Sequence, residues 1–521
     1  MTTDPTAHRA SHTATPAHTA TPAYSAAAQS QAAQSRAEQA GLVGPPWPPR
    51  LELTAPDDPA RQAGKPLGLD VDGAGDLIGL SVPDARHHVH VQGITGAGKT
   101  TFLVHAAVAE ASAGRGLVVI DPQGDLCRMI LDRLPSHVGN RLVIIDPAET
   151  LAPPACNVLD TGPGATVRDR EWTALNVAAT FARLYGRWWG PRMDDLMRGA
   201  CLTLVRRPGS TLADIVALLT HSAFRHQVLT TYGAPPGLAG LWRDFDAMGS
   251  AARGTLAGPL LARLRGVLGR SFARDLLGVP ASTIPFTDVL DGGILLARLP
   301  KGEIGADTTA LVGSLMLTTV WAHILRRSAR TPEDRPDATI LVDEAHNFLH
   351  LPIGMDEVFA ESRGYRVSWV VAHQHLRQLS GEVGAAIDAN ARTKLLFTVS
   401  PDDARHQARH MGGWFDERDL AERPAHTMTA RTVHQGHNQP PCTLAGLPLT
   451  RPIRGRAHHL RAAARARTGI TPAARHGLLR VQRLHEQRSS SSARESGPGD
   501  INSAYGPAPE RPDARPVEAP P

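Results

Sequence analysis

Lysine is scarce in this 521-residue chain. Only Lys65, Lys99, Lys301 and Lys394 occur, although lysine and arginine together number 55. A lysine inside a phosphate-binding pattern is therefore hard to reach by chance. Cysteine is equally sparse: Cys127, Cys156, Cys201 and Cys442 share no metal-binding or redox spacing. That excludes a disulfide framework and suits a reducing cytosol. No apolar run approaches the roughly 18 residues that span a bilayer, so direct membrane insertion is not expected. Residues 1–40 are rich in Ala, Thr, Ser, Gln, His and Pro and contain no apolar core of the signal-peptide kind. They read as a disordered tail. A net charge of +5 is too small to make the whole chain basic, so any nucleic-acid contact must be local.

What is present is concentrated in one segment. Gly93-Ile94-Thr95-Gly96-Ala97-Gly98-Lys99-Thr100 has the form G-x-x-x-x-G-K-T, the Walker A loop. Residue frequencies give roughly four chance matches per thousand chains of this composition. His88–Val91 reads as a buried strand entering the loop and Thr101–Ala107 as a helix leaving it, the context the motif requires. The glycines let successive N–H groups turn inward around phosphates, and the helix dipole adds positive potential at the same point. In this arrangement Gly93, Thr95, Gly96, Ala97, Gly98, Lys99, Thr100 and Thr101 bind the nucleotide. Lys99 reaches the β- and γ-phosphates, and the Thr100 hydroxyl holds Mg²⁺. A merely structural glycine-rich turn would need neither the lysine nor the flanking strand and helix.

The apolar strand Thr339–Val342 ends in Asp343 and Glu344, the form of a Walker B segment. Charges appear only at the carboxyl end of a central parallel strand, where ligands of open α/β sheets also bind. Asp343 would then hold Mg²⁺ and Glu344 polarise the attacking water. The plainer alternative is a helix-capping Asp after a strand.

Strand-like runs recur at Leu117–Asp121, Leu142–Asp146, Ile294–Leu299, Val367–Val371 and Lys394–Val399. Residues 166–282 instead show helical stretches such as Trp172–Tyr185, Asp194–Val205 and Leu212–Leu219. The expected fold is α/β, a RecA-like P-loop NTPase with a mostly parallel sheet interrupted by an all-helical insertion. Its divisions are a tail at 1–40, a small β-rich lead-in at 41–87, motor segments at 88–165 and 283–449 around the insertion, and an Arg-rich and Pro-rich tail at 450–521. The lead-in is suggested by Leu51–Leu53 and Leu77–Leu80. Between Arg451 and Arg488 the tail carries ten arginines and one acid, Glu486. It reads either as a nucleic-acid or acidic-partner contact or as a solvated arm, and largely disordered in both cases. The histidine pairs His87-His88, His373 with His375, and His458-His459 have no further ligands beside them and do not read as metal sites.

Taken in order, these segments resemble the HerA–FtsK superfamily of RecA-like motors, in particular the conjugative coupling proteins of type IV secretion systems. The likeness rests on His88–Thr100, on Val118–Leu126 with its Asp-Pro-x-Gly-Asp turn, on Trp189–Leu196, on Leu341–His346, and on Val370–Gln374, across roughly residues 65–449. It implies a homo-hexameric ring hydrolysing ATP with Mg²⁺ and drawing DNA, single- or double-stranded, through its pore. It further implies that Gln374 senses the γ-phosphate and that an arginine from the neighbouring subunit completes the site. Arg363 is the best match for that arginine, with Arg366 and Arg392 as rivals. The membrane-anchored members carry N-terminal transmembrane helices that this chain lacks. The expectation is therefore a cytoplasmic protein that either reaches a membrane through a secretion or DNA-processing partner or serves DNA processing in the cytosol. Two other functions use the same motor: a type IV secretion-like ATPase acting on protein substrates, and a nucleotide-gated scaffold with little turnover. DNA dependence of hydrolysis separates the first from the motor, and a single-turnover assay separates the second.

Overall fold

The computed structural model describes residues 64–71, 75–162 and 164–478. Residues 1–40, the Leu51–Leu53 piece and the end of the Arg-rich tail lie outside the described residues. Thirteen strands are present among them: β1 Lys65–Asp70, β2 Leu77–Leu80, β3 Val89–Gln92, β4 Gly116–Asp121, β5 Leu142–Ile145, β6 Ile294–Arg298, β7 Ala338–Val342, β8 Val367–His373, β9 Thr393–Leu396, β10 Thr427–Arg431, β11 Val433–His434, β12 His437–Asn438 and β13 Cys442–Ala445. Eleven form one sheet in the order β2-β1-β13-β10-β9-β3-β8-β7-β4-β6-β5. From β9 to β5 every pairing is parallel. From β9 outward to β2 every pairing is antiparallel.

The parallel strands are buried along their whole length, which is why they read as unbroken apolar runs in the sequence. One core lies on each face of the sheet. The first expected strand starts one residue late because His88 adopts φ 62°. Its Nδ1 accepts the Trp369 N–H at 3.1 Å and its Nε2 lies 2.7 Å from the Phe359 carbonyl. The antiparallel extension joins residues from both ends of the sequence, since β1 pairs β13 with Leu69 opposite Ala445. The lead-in strands thus belong to the same sheet as the Walker strands.

After β5 the chain runs through seven α-helices, from Val167–Tyr185 to Ser271–Leu277, and then the short helix Phe286–Leu290 before β6. Thr166 and Asp169 form a capping box that starts the first helix. Ala174, Val177, Ala178 and Phe181 then recur at three- and four-residue spacing on its buried face. Gly190 ends the loop, and Pro191 opens the next helix where its missing N–H costs nothing.

One helical stretch, Ala306–Ala329, is long and apolar enough by length and composition to cross a membrane. The expectation of no such segment is corrected on that point. Its most apolar window is 72% buried within the fold, however, as a core helix would be.

The Arg-rich segment also departs from expectation over its described part. Arg456–Thr468 is a helix that buries Leu460 and Ala464. Arg461 pairs with Asp146 at 2.7 Å and Arg465 with Glu149 at 2.7 Å, while Arg456 donates to the Leu134 carbonyl at 2.6 Å. Acids just after β5 and a carbonyl from the connection that leads into it hold this stretch, and only the folded chain brings them to it.

Candidate functional site

The Walker A loop leaves the carboxyl end of β3, and the helix Lys99–Ser112 begins at its lysine. Gly96 takes φ 80° and Gly98 φ 120°, conformations that L side chains rarely adopt. At Gly96 an added Cβ would meet nothing within 4 Å, so the inside of the loop is open. Gly93 serves a different purpose, because a Cβ there would stand 2.6 Å from the Phe397 Cβ. Neighbouring β9 can approach the loop only if this position is bare.

Strands β7 and β8 deliver the other groups to the same cleft, whose volume is about 170 Å³. Thr95, Gly96, Gly98, Lys99, Thr100, Thr101, Asp343, Glu344 and Gln374 all line it, together with Gln123 and His426. Ala97 is buried just behind it. Lys99 folds back onto its own loop, donating to the Gly93 carbonyl at 2.5 Å and the Ile94 carbonyl at 3.1 Å. Burial lowers its pKa, opposed by the charges of Glu344 and Asp343.

Asp343 is 6% exposed. Burial first, and then the nearby Glu344 and Asp121 charges, push its carboxyl up to about 7, against the pull of Lys99 and the Glu344 N–H. Glu344 has φ 44°, an uncommon conformation for a residue with a side chain and one that gathers at functional sites. Its Oε1 accepts the Gln374 amide at 2.6 Å, while its buried Oε2 has no hydrogen-bond partner. Gln374 in turn accepts from the Thr95 hydroxyl at 3.1 Å. The Gln374 side chain thus ties the Walker A loop to the Walker B glutamate through two contacts.

Arg363 is not brought to this cleft. It lies at the end of the helix Met355–Gly364, which leads into the amino end of β8, whereas the Walker residues sit at the strands' carboxyl ends. The Arg363 side chain is exposed and makes no hydrogen bond or ion pair among the described residues. Its rivals are committed elsewhere: Arg366 to Asp337 at 2.9 Å, and Arg392 to the Gly436 carbonyl at 2.8 Å and Asn438 at 3.1 Å.

The histidine pairs are dispersed. His373 stacks on His90, with Nε2 atoms 2.7 Å apart, and His375 faces Asp403 at 3.2 Å. A different group gathers Asp388, His406 and His410 with ligand-like spacing among the described residues. Asp388 is already paired with the Lys394 ammonium at 3.2 Å. Sequence reasoning missed this cluster, as it missed Gln123 and His426 in the cleft. The turn after β4 gives some signal for Gln123; nothing local marks His426.

The cleft gathers a glycine-rich loop, a lysine, the Thr100 hydroxyl, a buried acid, and a second acid whose Oε2 accepts no hydrogen bond and faces the His346 imidazole at 3.6 Å. That set fits a triphosphate with a hard divalent cation. No family model matches this chain, and no curated protein matches it in sequence. Solved structures match it in three dimensions. The unbound monoclinic form of the bacterial conjugative coupling protein TrwBΔN70 aligns with 79% of this chain and 97% of its own, at 14% identity and TM-score 0.52. Its trigonal form in complex with sulphate aligns over 80% and 98%, at 15% identity and TM-score 0.52. The plasmid coupling protein TrwB in complex with the non-hydrolysable ATP analogue ADPNP aligns over 78% and 96%, at 16% identity and TM-score 0.51. The chain shares the fold of these proteins: an α/β architecture around a mostly parallel sheet.

Proposed function

We propose that this protein is an ATP-hydrolysing ring motor that translocates DNA, built as a homo-hexamer and working with Mg²⁺. The observation that carries the reading is the convergence of Lys99, Thr100, Asp343, Glu344 and Gln374 on one cleft, with Gln374 bonded to Glu344. A simple nucleotide switch needs no second acid in the cleft. The coupling-protein fold supports the choice of DNA as the cargo.

Loop N–H groups and the start of the Lys99–Ser112 helix would hold the phosphates. Lys99 would release the Gly93 and Ile94 carbonyls and turn to the β- and γ-phosphates. Mg²⁺, held by Thr100 and Asp343, would neutralise charge that develops between those phosphates. The Glu344 carboxylate, whose Oε2 accepts no hydrogen bond, would orient water and accept its proton. Gln374 would shift its bond from Glu344 as the γ-phosphate leaves, passing that event along β8. Arg363 lies at the opposite end of β8 from its own cleft, and in a ring it would serve the neighbour's. Contacts to the DNA backbone would not read sequence, and binding would weaken steeply with salt.

The test is ATP turnover with no DNA, single-stranded DNA and duplex DNA, beside Lys99→Ala. A several-fold rise with DNA, absent in the variant, is expected. Lys99-dependent turnover indifferent to DNA would overturn the DNA motor in favour of a protein-secretion ATPase. Binding without turnover would leave a nucleotide-gated scaffold.

A further inference from the structure

His426 lies in the antiparallel half of the sheet, at the threshold of β10, yet it lines the cleft built by the parallel half. Its main chain is fixed on both sides. The His426 N–H donates to the Ala97 carbonyl of the Walker A loop at 2.8 Å, and its own carbonyl accepts from Gly446 at 2.7 Å. It is held at φ 61°, where residues with side chains are uncommon and persist only when their surroundings impose it. A Cβ on Gly98 would stand 3.2 Å from both the Cα and the Nδ1 of His426. The imidazole is exposed and makes no hydrogen bond or ion pair among the described residues. An aromatic ring is thus held beside the loop by its backbone and exposed to solvent.

The sheet order says which part of a nucleotide it would meet. On one side of β3 lie β8 and then β7, which carry Gln374, Asp343 and Glu344. Those groups belong with the γ-phosphate end. On the other side lie β9 and then β10. A nucleotide whose phosphates are wrapped by the loop and whose γ end points toward β7 must direct its nucleoside toward β10. From this we infer that His426 is a base-contacting residue, whose imidazole stacks on the nucleobase. The inference rests on the nucleotide-binding reading above and extends it. Because every base has a π-face, such a contact recognises a nucleobase without choosing among bases.

The experiment is titration calorimetry of the full chain with Mg²⁺ and ATP, GTP or inorganic tripolyphosphate, in wild type, His426→Asn and His426→Phe, beside Lys99→Ala. Asn tolerates the left-handed conformation, so the backbone contact to Ala97 is kept while the ring is removed. His426→Asn is expected to weaken ATP and GTP alike by about fivefold to a hundredfold, the range of one aromatic–base stack. Tripolyphosphate binding should not change in His426→Asn. His426→Phe keeps a ring but tolerates the left-handed turn less well, so strain would weaken all three ligands equally while the preference for ATP over tripolyphosphate is kept. Lys99→Ala should lose all three. Unchanged ATP affinity in His426→Asn would overturn the inference, as would a proportional loss of tripolyphosphate, which would make His426 only a brace for the loop. Wild type binding tripolyphosphate as tightly as ATP would also overturn it while leaving the phosphate site standing. Binding of none of the three would sink the nucleotide reading together with it.

Discussion

Asp343 supplies the most exacting test of the site, because its protonation is set by the fold. A carboxyl pushed up to about 7 is largely protonated in the free protein below neutrality. A divalent cation takes only the ionised form, so binding must expel that proton. With the magnesium–nucleotide complex preformed, binding near pH 6 should release about 0.9 proton and near pH 8 about 0.1. Calorimetry at fixed pH in buffers of different ionisation enthalpy reads this number directly. Asp343→Asn has no proton to give, and its release should be near zero at both values. Stability of the free protein moves in a linked way. The acid's folded value lies above its ordinary 3.8, so its protonated form contributes stability that is complete below that value. The contribution is lost as pH rises to about 7, a loss of about 4 kcal/mol at most. Above neutrality the buried carboxylate is a burden, and Asp343→Asn should then unfold at a higher temperature than wild type without nucleotide. Tight wild-type binding with no pH-dependent proton release would refute the reasoning, since Asp343 would already be ionised in the free cleft.

Arg363→Ala should bind nucleotide normally but lose about 10³- to 10⁵-fold in turnover. Mixing it with Lys99→Ala should restore part of the activity, because an intact loop on one subunit then faces an intact arginine on the next; no recovery in mixed rings would count against a role in trans. Gly313→Ala places a methyl 2.3 Å from the Phe348 ring that follows the Walker B turn. A loss of about 1–3 kcal/mol in denaturant unfolding is expected, and unchanged stability would show that the ring has room to move. Truncation after residue 450 removes Arg461 and Arg465 from Asp146 and Glu149 and uncovers the surface under Leu460. It should lower the melting temperature by several degrees, as a solvated arm would not; an unchanged melting curve would make the helix dispensable.

The parallel half of this protein is written locally. A strand buried on both faces has to be apolar throughout, and a loop that wraps phosphate has to carry glycine and lysine at fixed spacing. Lys99, Thr100, Asp343 and Glu344 were therefore legible from the sequence alone, as were the strands that present them. So was the helical insertion, through its three- and four-residue apolar spacing.

Other features depend on partners distant in sequence. The antiparallel half joins β1 to β13 across some 375 residues, from Leu69 to Ala445, and no short-range pattern records that pairing. The Arg456–Thr468 helix looked like a charged tail because Asp146 and Glu149 face it only after the sheet has formed. The raised Asp343 carboxyl follows from burial beside Glu344 and Asp121, and Asp121 arrives on another strand. His426 carries no mark in the sequence, since its place in the cleft comes from a left-handed turn and two backbone bonds. Patterns along the chain picked out the groups that line the cleft; the packing of distant segments decided their charge and their neighbours, because burial and Coulomb forces act through space.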